Sequence, residues 1–175
     1  MRARNSRIGP SSVLEWSRSL ALGSSILELG CGHGVVSQAL IDAGFSLYVV
    51  DASPKMIRTF QARFPTVPAE CAAIEDFDFF GRTFDGIVAW GLMFLLLPDT
   101  QKLLIAKAAK ALKPGGQFLF TSTQGAVRWN DSITERESVS LGEETYDTLL
   151  KAQGLIVHDH FTDVGENYYY VASKT

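Results

Sequence analysis

The amino-acid sequence predicts an α/β fold, in which helices cover both faces of a mostly parallel, doubly wound sheet. Short apolar stretches typical of strands alternate with stretches of helical periodicity as far as Phe120, and a glycine-rich turn joins the first strand to a helix. Two closing strands, 155–161 and 167–172, are separated by a connection short enough for an antiparallel hairpin. Because such alternation implies right-handed crossovers, we expect one domain over residues 1–175, with 1–10 as a flexible basic arm.

Composition narrows the class of protein. The chain has 175 residues, of which 46% are hydrophobic and 20% charged, and its net charge is -3. These values are typical of a soluble globular domain and give no general attraction to nucleic acid. Arg2, Arg4 and Arg7 make the start locally basic, but no apolar run follows that would form a signal peptide or a membrane span. We expect a cytoplasmic protein that acts on a small molecule, with no nucleic-acid or membrane partner and an oligomeric state left open.

The most informative segment is 26–34, which reads Ile-Leu-Glu-Leu-Gly-Cys-Gly-His-Gly. Its alternating glycines lack side chains where the backbone must turn sharply or lie against a ligand, and a helical pattern begins after Gly34. This arrangement favours a nucleotide-type cofactor site, with an ordinary tight connection as the alternative. Glu28 lies in an otherwise apolar strand, where a buried carboxylate is costly without a partner. We therefore expect it to meet a cation or a hydrogen-bond donor.

The spacing Glu28-x-Gly30-x-Gly32-x-Gly34 resembles the first motif of the class I methyltransferases that use S-adenosylmethionine, and it differs from the dinucleotide fingerprint Gly-x-Gly-x-x-Gly. The resemblance implies S-adenosylmethionine as cofactor and S-adenosylhomocysteine as its product. This cofactor has no pyrophosphate, but its carboxylate suits backbone amides at the start of a helix, and its ammonium suits backbone carbonyls and the surroundings of Glu28. His33 can donate to the methionine end, although solvent exposure is the plainer interpretation.

A second predicted strand, 47–51, ends in Asp51 about 20 residues after the glycine turn, where a carboxylate can accept both hydroxyls of a ribose. The alternative for Asp51 is a loop or capping carboxylate. Ser53 is a good cap for the helix that follows. By the resemblance, Asp51 holds the ribose of the cofactor, while Ala52 and Met56 pack near its adenine.

The segment 70–77 falls where the resembled family places its adenine contacts, with an acidic residue that accepts from the exocyclic amine. Ala73 occupies that position here, so the chain departs from the family pattern. The backbone of Ala73 and Ile74 can contact the ring instead, and Glu75 can take the acidic role. A solvated turn is an equally good interpretation of Glu75 and Asp76.

The segment 84–91 predicts a fourth strand with Trp90 at its carboxyl end, the side on which open parallel sheets bind ligands. The indole can stack on adenine, attract the sulfonium through a cation-π contact, or belong to the core.

Asp99 is expected to cap a helix that ends at the residues 113–116, Lys-Pro-Gly-Gly. This turn is characteristic of the same family. The matching segments cover about residues 24–123, and the resemblance implies a seven-stranded sheet in the order 3-2-1-4-5-7-6, with the last strand antiparallel.

Three regions are candidates for the substrate side. One is the amino-terminal arm with a first helix near 12–20, in which Trp16 can close over the cofactor, although a core position is the plainer interpretation. The other two contain the candidate substrate residues. Met93 and Phe94 belong to an apolar segment that favours a wall without a general base. The polar stretch 123–140 has the length of a functional or disordered loop, in which Arg128 can pair with an acidic group and Trp129 can cover a pocket; an exposed loop is the alternative. No catalytic residue is assigned, because in methyl transfer the cofactor brings the electrophile.

The remaining histidines, a capping pair and one cysteine are interpreted from their local sequence patterns. His158 and His160 alternate along a predicted strand and should share a face, but no third ligand is evident and we expect no metal site. Ser140 and Glu143 have capping-box spacing at the start of a helix. Cys31 lies close to a helix amino terminus, a setting that can lower a thiol pKa, but as a small residue in the turn it needs no reactive role.

The sequence therefore predicts a methyltransferase that uses S-adenosylmethionine and acts on a small molecule. A methyltransferase-like module that binds the cofactor without turnover is one alternative, which the Ala73 departure allows. An NAD-dependent oxidoreductase is a second, disfavoured by the glycine spacing and by the lack of a Tyr-x-x-x-Lys dyad. The predicted cofactor residues are Glu28, Gly30, Cys31, Gly32, His33, Gly34, Asp51, Ala52, Met56, Ala73, Ile74, Glu75 and Trp90.

Overall fold

The structure is a computed structural model that describes residues 8–132 and 135–175. In these ranges the chain forms five α-helices and nine strands. In chain order they are α1 Ile8–Ser17, β1 Ser25–Leu29, α2 Val35–Asp42, β2 Ser46–Asp51, α3 Pro54–Arg63, β3 Ala69–Cys71, β4 Phe84–Ala89, α4 Pro98–Ala111, β5 Leu112–Ser122, β6 Ala126–Asn130, β7 Glu137–Leu141, α5 Glu143–Ala152, β8 Leu155–Thr162 and β9 Tyr168–Lys174, with single 3-10 turns at Phe79–Gly81 and Met93–Leu95.

Seven strands form one sheet in the order β3-β2-β1-β4-β5-β9-β8. The pairs from β3 to β5 are parallel, whereas β9 runs antiparallel to both β5 and β8. This arrangement confirms the predicted doubly wound α/β fold and its strand order, because β8 and β9 are the predicted sixth and seventh strands of the sheet.

The remaining two strands correct one prediction. Residues 123–140 were expected to be a loop, but β6 and β7 pair with each other as an antiparallel ribbon outside the main sheet, in register from Ala126 with Leu141 to Asn130 with Glu137. A polar, partly exposed ribbon has no apolar alternation strong enough to distinguish it from a loop. The ribbon lies against the 3-10 turn Met93–Leu95 and against α4.

Helices cover both faces of the sheet because neighbouring strand residues point to opposite faces. On one face, Leu27 and Phe118 pack with side chains of α4 and α5. On the other, Ile26 and Leu119 pack with side chains of α1, α2 and α3. Trp16 of α1 is buried in the second cluster, in agreement with the interpretation of it as a core residue.

Several predicted helix starts need correction. The first helix runs over Ile8–Ser17 rather than 12–20, so the last part of the expected basic arm is helical; residues 1–7, including Arg2, Arg4 and Arg7, lie outside the described residues. Asp99 does not cap α4, since Leu97 precedes the helix and Pro98 opens it. Helix α5 begins after Gly142 rather than at the Ser140 capping box, although the Ser140 hydroxyl accepts from the Gly142 N–H. Pro98 and Gly142 provide stronger backbone boundaries than the polar caps do.

Two other local predictions are confirmed. Ser53 caps α3, because its side chain accepts from the Met56 N–H. Helix α4 ends at Ala111, as predicted, but the Lys-Pro-Gly-Gly residues that follow belong to the irregular first part of β5 rather than to a separate turn. The Lys113 ammonium lies 3.1 Å from the Asp85 carboxylate at the start of β4, which supports an architectural role.

The sheet topology places several loops at one edge. The carboxyl ends of the parallel strands β1, β2 and β4 point the same way, so the glycine turn, Asp51 and the segment after Ala89 come together there. This edge is where open α/β sheets bind ligands. Among the described residues, no helix is long and apolar enough to cross a membrane.

Candidate active site

The glycine turn after β1 is bound to the end of β2 by backbone hydrogen bonds. The N–H groups of Gly30 and Cys31 donate to the Val50 carbonyl at 2.8 and 3.3 Å, and the Gly34 N–H donates to the Cys31 carbonyl at 2.9 Å. Gly32 lies between these bonds. The turn is therefore rigidly attached to the neighbouring strand before any ligand is considered.

The turn needs glycine for different reasons at two of its positions. Gly34 has φ +83°, and a Cβ there would lie 2.7 Å from the ring of Phe64. Gly32 has φ +51°, but a Cβ on it would meet no atom within 4 Å. Gly34 thus serves close packing, whereas the open side of Gly32 leaves room for a ligand to lie against the backbone.

Asp51 joins β2 to the glycine turn. One carboxylate oxygen accepts from the Gly32 N–H at 3.0 Å and the other from the Ser53 N–H at 2.9 Å. The second bond is the local capping contact that was the alternative interpretation. Since each carboxylate oxygen can accept more than one hydrogen bond, these contacts leave Asp51 able to accept from a ribose.

Glu28 has the donor that its burial predicted. Its side chain is only 3% exposed, and the Ser37 hydroxyl of α2 donates to it. The pKa of Glu28 is raised to about 8, chiefly by burial; the Ser37 hydrogen bond opposes this shift and the charge of Asp51 contributes to it. Glu28 is therefore mainly protonated at neutral pH and can respond to a cationic group nearby.

The Cys31 thiol does not have the lowered pKa that a helix amino terminus can produce. The pKa of Cys31 is raised to about 12, first by burial and then by the negative charges of Glu28 and Asp51. These effects outweigh that of the helix amino terminus. Cys31 is a small packing residue in the turn rather than a reactive thiol.

A cavity of about 140 Å³ lies beside Asp51. It gathers a large part of the predicted cofactor residues and adds four that were not predicted: Val50, Ala72, Leu92 and Leu96. Leu92 and Leu96 form the apolar side opposite the glycine turn, and their spacing of four residues in an apolar run was an available signal. The predicted residues that line the cavity are Gly30, Asp51, Ala52, Ala73, Ile74 and Glu75.

The loop after β3 is held in place by α4. The Lys107 ammonium donates to the carbonyls of Ile74, Glu75 and Phe77 at 2.7 to 3.0 Å. The Glu75 carboxylate accepts from the Thr100 hydroxyl at 2.8 Å. The pKa of Glu75 is lowered, chiefly by a hydrogen bond from its own backbone N–H and then by Thr100. Glu75 is thus an ordered carboxylate at the cavity, while Ala73 contributes only backbone and a methyl group.

Seven predicted cofactor residues do not line this cavity. Four of them, Glu28, Cys31, Gly32 and Gly34, belong to β1 or the glycine turn and are described above; the other three are His33, Met56 and Trp90. His33 is exposed and its carbonyl accepts from Arg63 at 3.1 Å, as the plainer interpretation has it. Met56 is half-buried in the first turn of α3. The Trp90 indole donates to the Tyr169 hydroxyl at 3.0 Å, and a Cβ on Gly9 of α1 would come within 2.4 Å of its ring. Trp90 therefore packs between α1 and β9, away from the cavity beside Asp51.

The predicted substrate residues divide into three groups. Met93 is fully buried in the core. Phe94 and Trp129 meet with ring centroids 5.6 Å apart, and both are half-buried. Arg128 forms an exposed ion pair with Glu137 across the ribbon at 3.1 Å. The structure thus joins the post-β4 segment and the ribbon through an aromatic pair.

The histidine prediction is also corrected. A register shift in β8 between Val157 and Asp159 breaks the alternation of side chains. His158 then contacts the Ser173 hydroxyl, while His160 lies 2.8 Å from the Asp147 carboxylate of α5. Asp147 and Glu143 complete a group of three potential ligand atoms with His160, so further candidate ligands do exist in the tertiary structure.

A larger cavity, of about 580 Å³, lies between the 3-10 turn Phe79–Gly81 and the last turns of α4. None of the predicted cofactor residues lines it. It leads to the start of β4 rather than to the carboxyl ends of the strands. The smaller cavity is therefore the candidate site, because the glycine turn and Asp51 meet there.

Comparison with known proteins decides the family. The methyltransferase domain family matches residues 26–116, which is more than half of the chain. The chain belongs to the class I methyltransferases that use S-adenosylmethionine. Its match thus begins in β1 and ends with the Lys-Pro-Gly-Gly residues, and the predicted cofactor, with S-adenosylhomocysteine as the product, is confirmed.

Three proteins of known name or structure are similar to this methyltransferase domain. It is 31% identical over 125 residues to the ubiquinone biosynthesis O-methyltransferase of Idiomarina loihiensis, a match to 67% of this chain and 50% of that protein. A methyltransferase from Clostridium acetobutylicum has the same fold, with a TM-score of 0.79 at 17% identity, covering 94% of this chain and 90% of that one. The glycopeptide N-methyltransferase MtfA, solved with S-adenosylmethionine, has a TM-score of 0.76 at 15% identity, covering 96% and 95%. The chain spans about half the length of the curated relatives it matches.

Proposed function

We propose that this domain transfers the methyl group of S-adenosylmethionine to a small-molecule acceptor. The observation that carries the proposal is the meeting of the glycine turn, Asp51 and the loop Ala73–Glu75 at one cavity on the carboxyl edge of the sheet. We also propose that residues 1–175 form one domain and that it works in the cytoplasm, since Cys31 and Cys71 are both free thiols.

The proposed cofactor pose follows from the chemistry of these residues. Asp51 accepts from the ribose hydroxyls, and the adenine lies in the cavity between Ile74 and Leu92. The methionine carboxylate lies along the open side of Gly32, where the backbone turns into α2. Trp90, which packs near α1, contributes at the methionine end rather than at the adenine.

The residues of the domain bind and orient, while the bound cofactor supplies an electrophilic methyl group on a sulfonium. The apolar side chains Leu92 and Leu96 exclude water from one side of the cavity. Glu28 provides a protonated carboxyl that can give up its proton when a cationic ammonium approaches. Alignment of the acceptor and exclusion of water are then the main contributions of the protein.

Calorimetric titration with S-adenosylhomocysteine tests the cofactor pose. Asp51→Ala should weaken binding by about 10- to 100-fold, since two charge-assisted hydrogen bonds to the ribose are lost. Asp159→Ala, which removes an exposed carboxylate on β8, is the matched control and should leave the affinity unchanged. Equal affinities of the wild type and Asp51→Ala would refute the ribose contact, and a wild-type chain that binds NAD but not S-adenosylhomocysteine would refute the function.

A cofactor-binding module without turnover is the second candidate. The observation that favours it is the segment Trp90–Leu97, which contains no ionisable side chain to act as a general base beside the cavity. Transfer of a labelled methyl group to phenolic, amine and carboxylate acceptors distinguishes the two candidates. A product with any acceptor, lost in Asp51→Ala, supports turnover; cofactor binding with no labelled product supports the module.

A further inference from the structure

The segment after β4 and the ribbon together expose an unusual amount of apolar surface. We call this surface the apolar wall and define it by Phe94, Leu95, Leu97, Val127 and Trp129. Leu95, Leu97 and Val127 are 50%, 74% and 44% exposed. Exposed apolar side chains that cluster beside a cleft indicate a surface that meets another molecule.

The apolar wall continues directly from the cofactor cavity. Leu92 and Leu96 line the cavity, and Phe94, Leu95 and Leu97 are interleaved with them along one short segment. Val127 and Trp129 lie two residues apart on β6 and therefore share a face of the ribbon. An acceptor that reaches the cofactor from this side must pass along the wall.

The wall is a built surface rather than a loose loop. The Gln101 amide of α4 donates to the carbonyls of Leu96 and Val139 at 2.9 and 2.8 Å. Its carbonyl accepts from the Tyr146 hydroxyl of α5 at 2.6 Å, and Gln101 is fully buried. One side chain thus ties the post-β4 segment to the ribbon and ties both to the helices behind them.

The apolar wall offers no partner for a charged acceptor. The segment Trp90–Leu97 has no ionisable side chain. On the ribbon, Arg128 points to the face opposite Trp129 and is paired with Glu137. A charged acceptor group would lose its hydration here without gaining a partner, which is costly.

One polar atom at the wall lacks a partner. Ser138 lies directly opposite Trp129 in the ribbon register, is fully buried, and its hydroxyl makes no hydrogen bond within the described residues. Such hydroxyls usually have partners. The half-buried Trp129 indole shares its face and is the side chain whose rotation would open the hydroxyl to a ligand.

We propose that the acceptor of this methyltransferase is an apolar aromatic compound that lies against Phe94 and Trp129, with one neutral polar group bonded to the Ser138 hydroxyl. This inference rests on the proposed function, because it concerns the second substrate of the same site. The aromatic pair supplies flat surface for a ring, and Ser138 fixes its orientation.

The test uses 2-naphthol as the probe and the full chain saturated with S-adenosylhomocysteine. Ligand-observed NMR and calorimetry should detect 2-naphthol binding, and glycine at the same concentration should not bind. Phe94→Ala and Trp129→Ala should each weaken 2-naphthol binding about tenfold or more, and Ser138→Ala about three- to tenfold. Leu22→Ala is the control, since Leu22 is equally apolar, 89% exposed, and precedes β1 at the opposite edge of the sheet.

Unchanged S-adenosylhomocysteine affinity in each variant shows that the variant is folded. If Trp129→Ala does not bind S-adenosylhomocysteine normally, Trp129→Leu is used in its place. Binding of 2-naphthol that is absent, or equal in all variants, while S-adenosylhomocysteine still binds, would overturn the apolar acceptor and leave the proposed function standing. Failure of S-adenosylhomocysteine itself to bind would overturn the proposed function and the acceptor inference with it.

Discussion

The two sides of the candidate site are built in different ways. The cofactor side is a short turn whose glycines, backbone bonds and neighbouring Asp51 lie close together in sequence or on adjacent strands. The acceptor side brings the post-β4 segment against a ribbon more than thirty residues further along, through one buried side chain, Gln101. A local motif can therefore identify the donor of the methyl group, while the acceptor depends on contacts that no local motif describes.

The largest effect is expected in the cofactor turn. Gly34→Ala should lower the free energy of unfolding by about 3 kcal/mol, because the new methyl group adds a clash with Phe64 to the cost of a left-handed backbone. Gly44→Ala has a similar φ of +88° but open space around it, and should lose only about 1 kcal/mol. Urea unfolding of both variants measures the difference, and equal losses would refute the packing role of Gly34.

The corresponding change on the acceptor side is Gln101→Leu. Removal of the amide leaves the Leu96 and Val139 carbonyls without their side-chain donor, which should cost about 2 kcal/mol. It should also weaken 2-naphthol binding more than S-adenosylhomocysteine binding, because Val139 belongs to the acceptor side alone whereas Leu96 also lines the cofactor cavity. Gln153→Leu, at an exposed glutamine after α5, is the control. Equal loss of both ligands would contradict the separation of the two sides.

A pH-dependent effect tests Glu28. Its pKa is raised from 4.5 to about 8 in the fold, so between these values the folded chain holds a proton that the unfolded chain has lost. Stability from this group is complete below pH 4.5 and is lost as the pH rises towards 8, at up to about 1.4 kcal/mol per pH unit. Glu28→Gln removes this titration, and its stability relative to wild type should therefore increase from pH 5 to pH 8.

Unfolding at several pH values measures that trend. Glu144→Gln, at an exposed carboxylate of α5, provides the slope for a surface group. A difference between wild type and Glu28→Gln that is constant across the range would contradict the raised pKa of Glu28.

The smallest effect distinguishes two serines of β7. Ser138→Ala should change the free energy of unfolding by less than about 1 kcal/mol, or increase it, because the hydroxyl has no partner in the described residues. Ser140→Ala should lose about 1 to 2 kcal/mol, since the Ser140 hydroxyl bonds to Ser122, Thr123 and Gly142. Thermal unfolding compares the two, and an equal loss at Ser138 would show that its hydroxyl has a structural partner.

Features of the site that depend on local sequence were predictable, whereas features that depend on contacts between distant segments were not. The cap at Ser53 and the donor for Glu28 were predicted because each depends on a short segment and one well-defined physical requirement, whereas the strand order was predicted from the family resemblance. The raised pKa of Cys31 was not predictable from the sequence, because the burial and the nearby carboxylates that cause it become known only once the strands are paired. His158 and His160 were placed on one face because a register shift in β8 has no sequence signal of its own.

The sequence by itself determined the fold class and the parallel arrangement of the first strands, since strand apolarity and helical periodicity are local requirements of the backbone. Its resemblance to a known family, carried by the glycine spacing and the acidic end of β2, determined the strand order and the cofactor. Only the tertiary structure decided that residues 126–130 and 137–141 pair as a ribbon, that Phe94 meets Trp129, and that Met93 and Trp90 pack inward. These outcomes depend on which distant surfaces fill one another's space, and on which buried polar groups find partners.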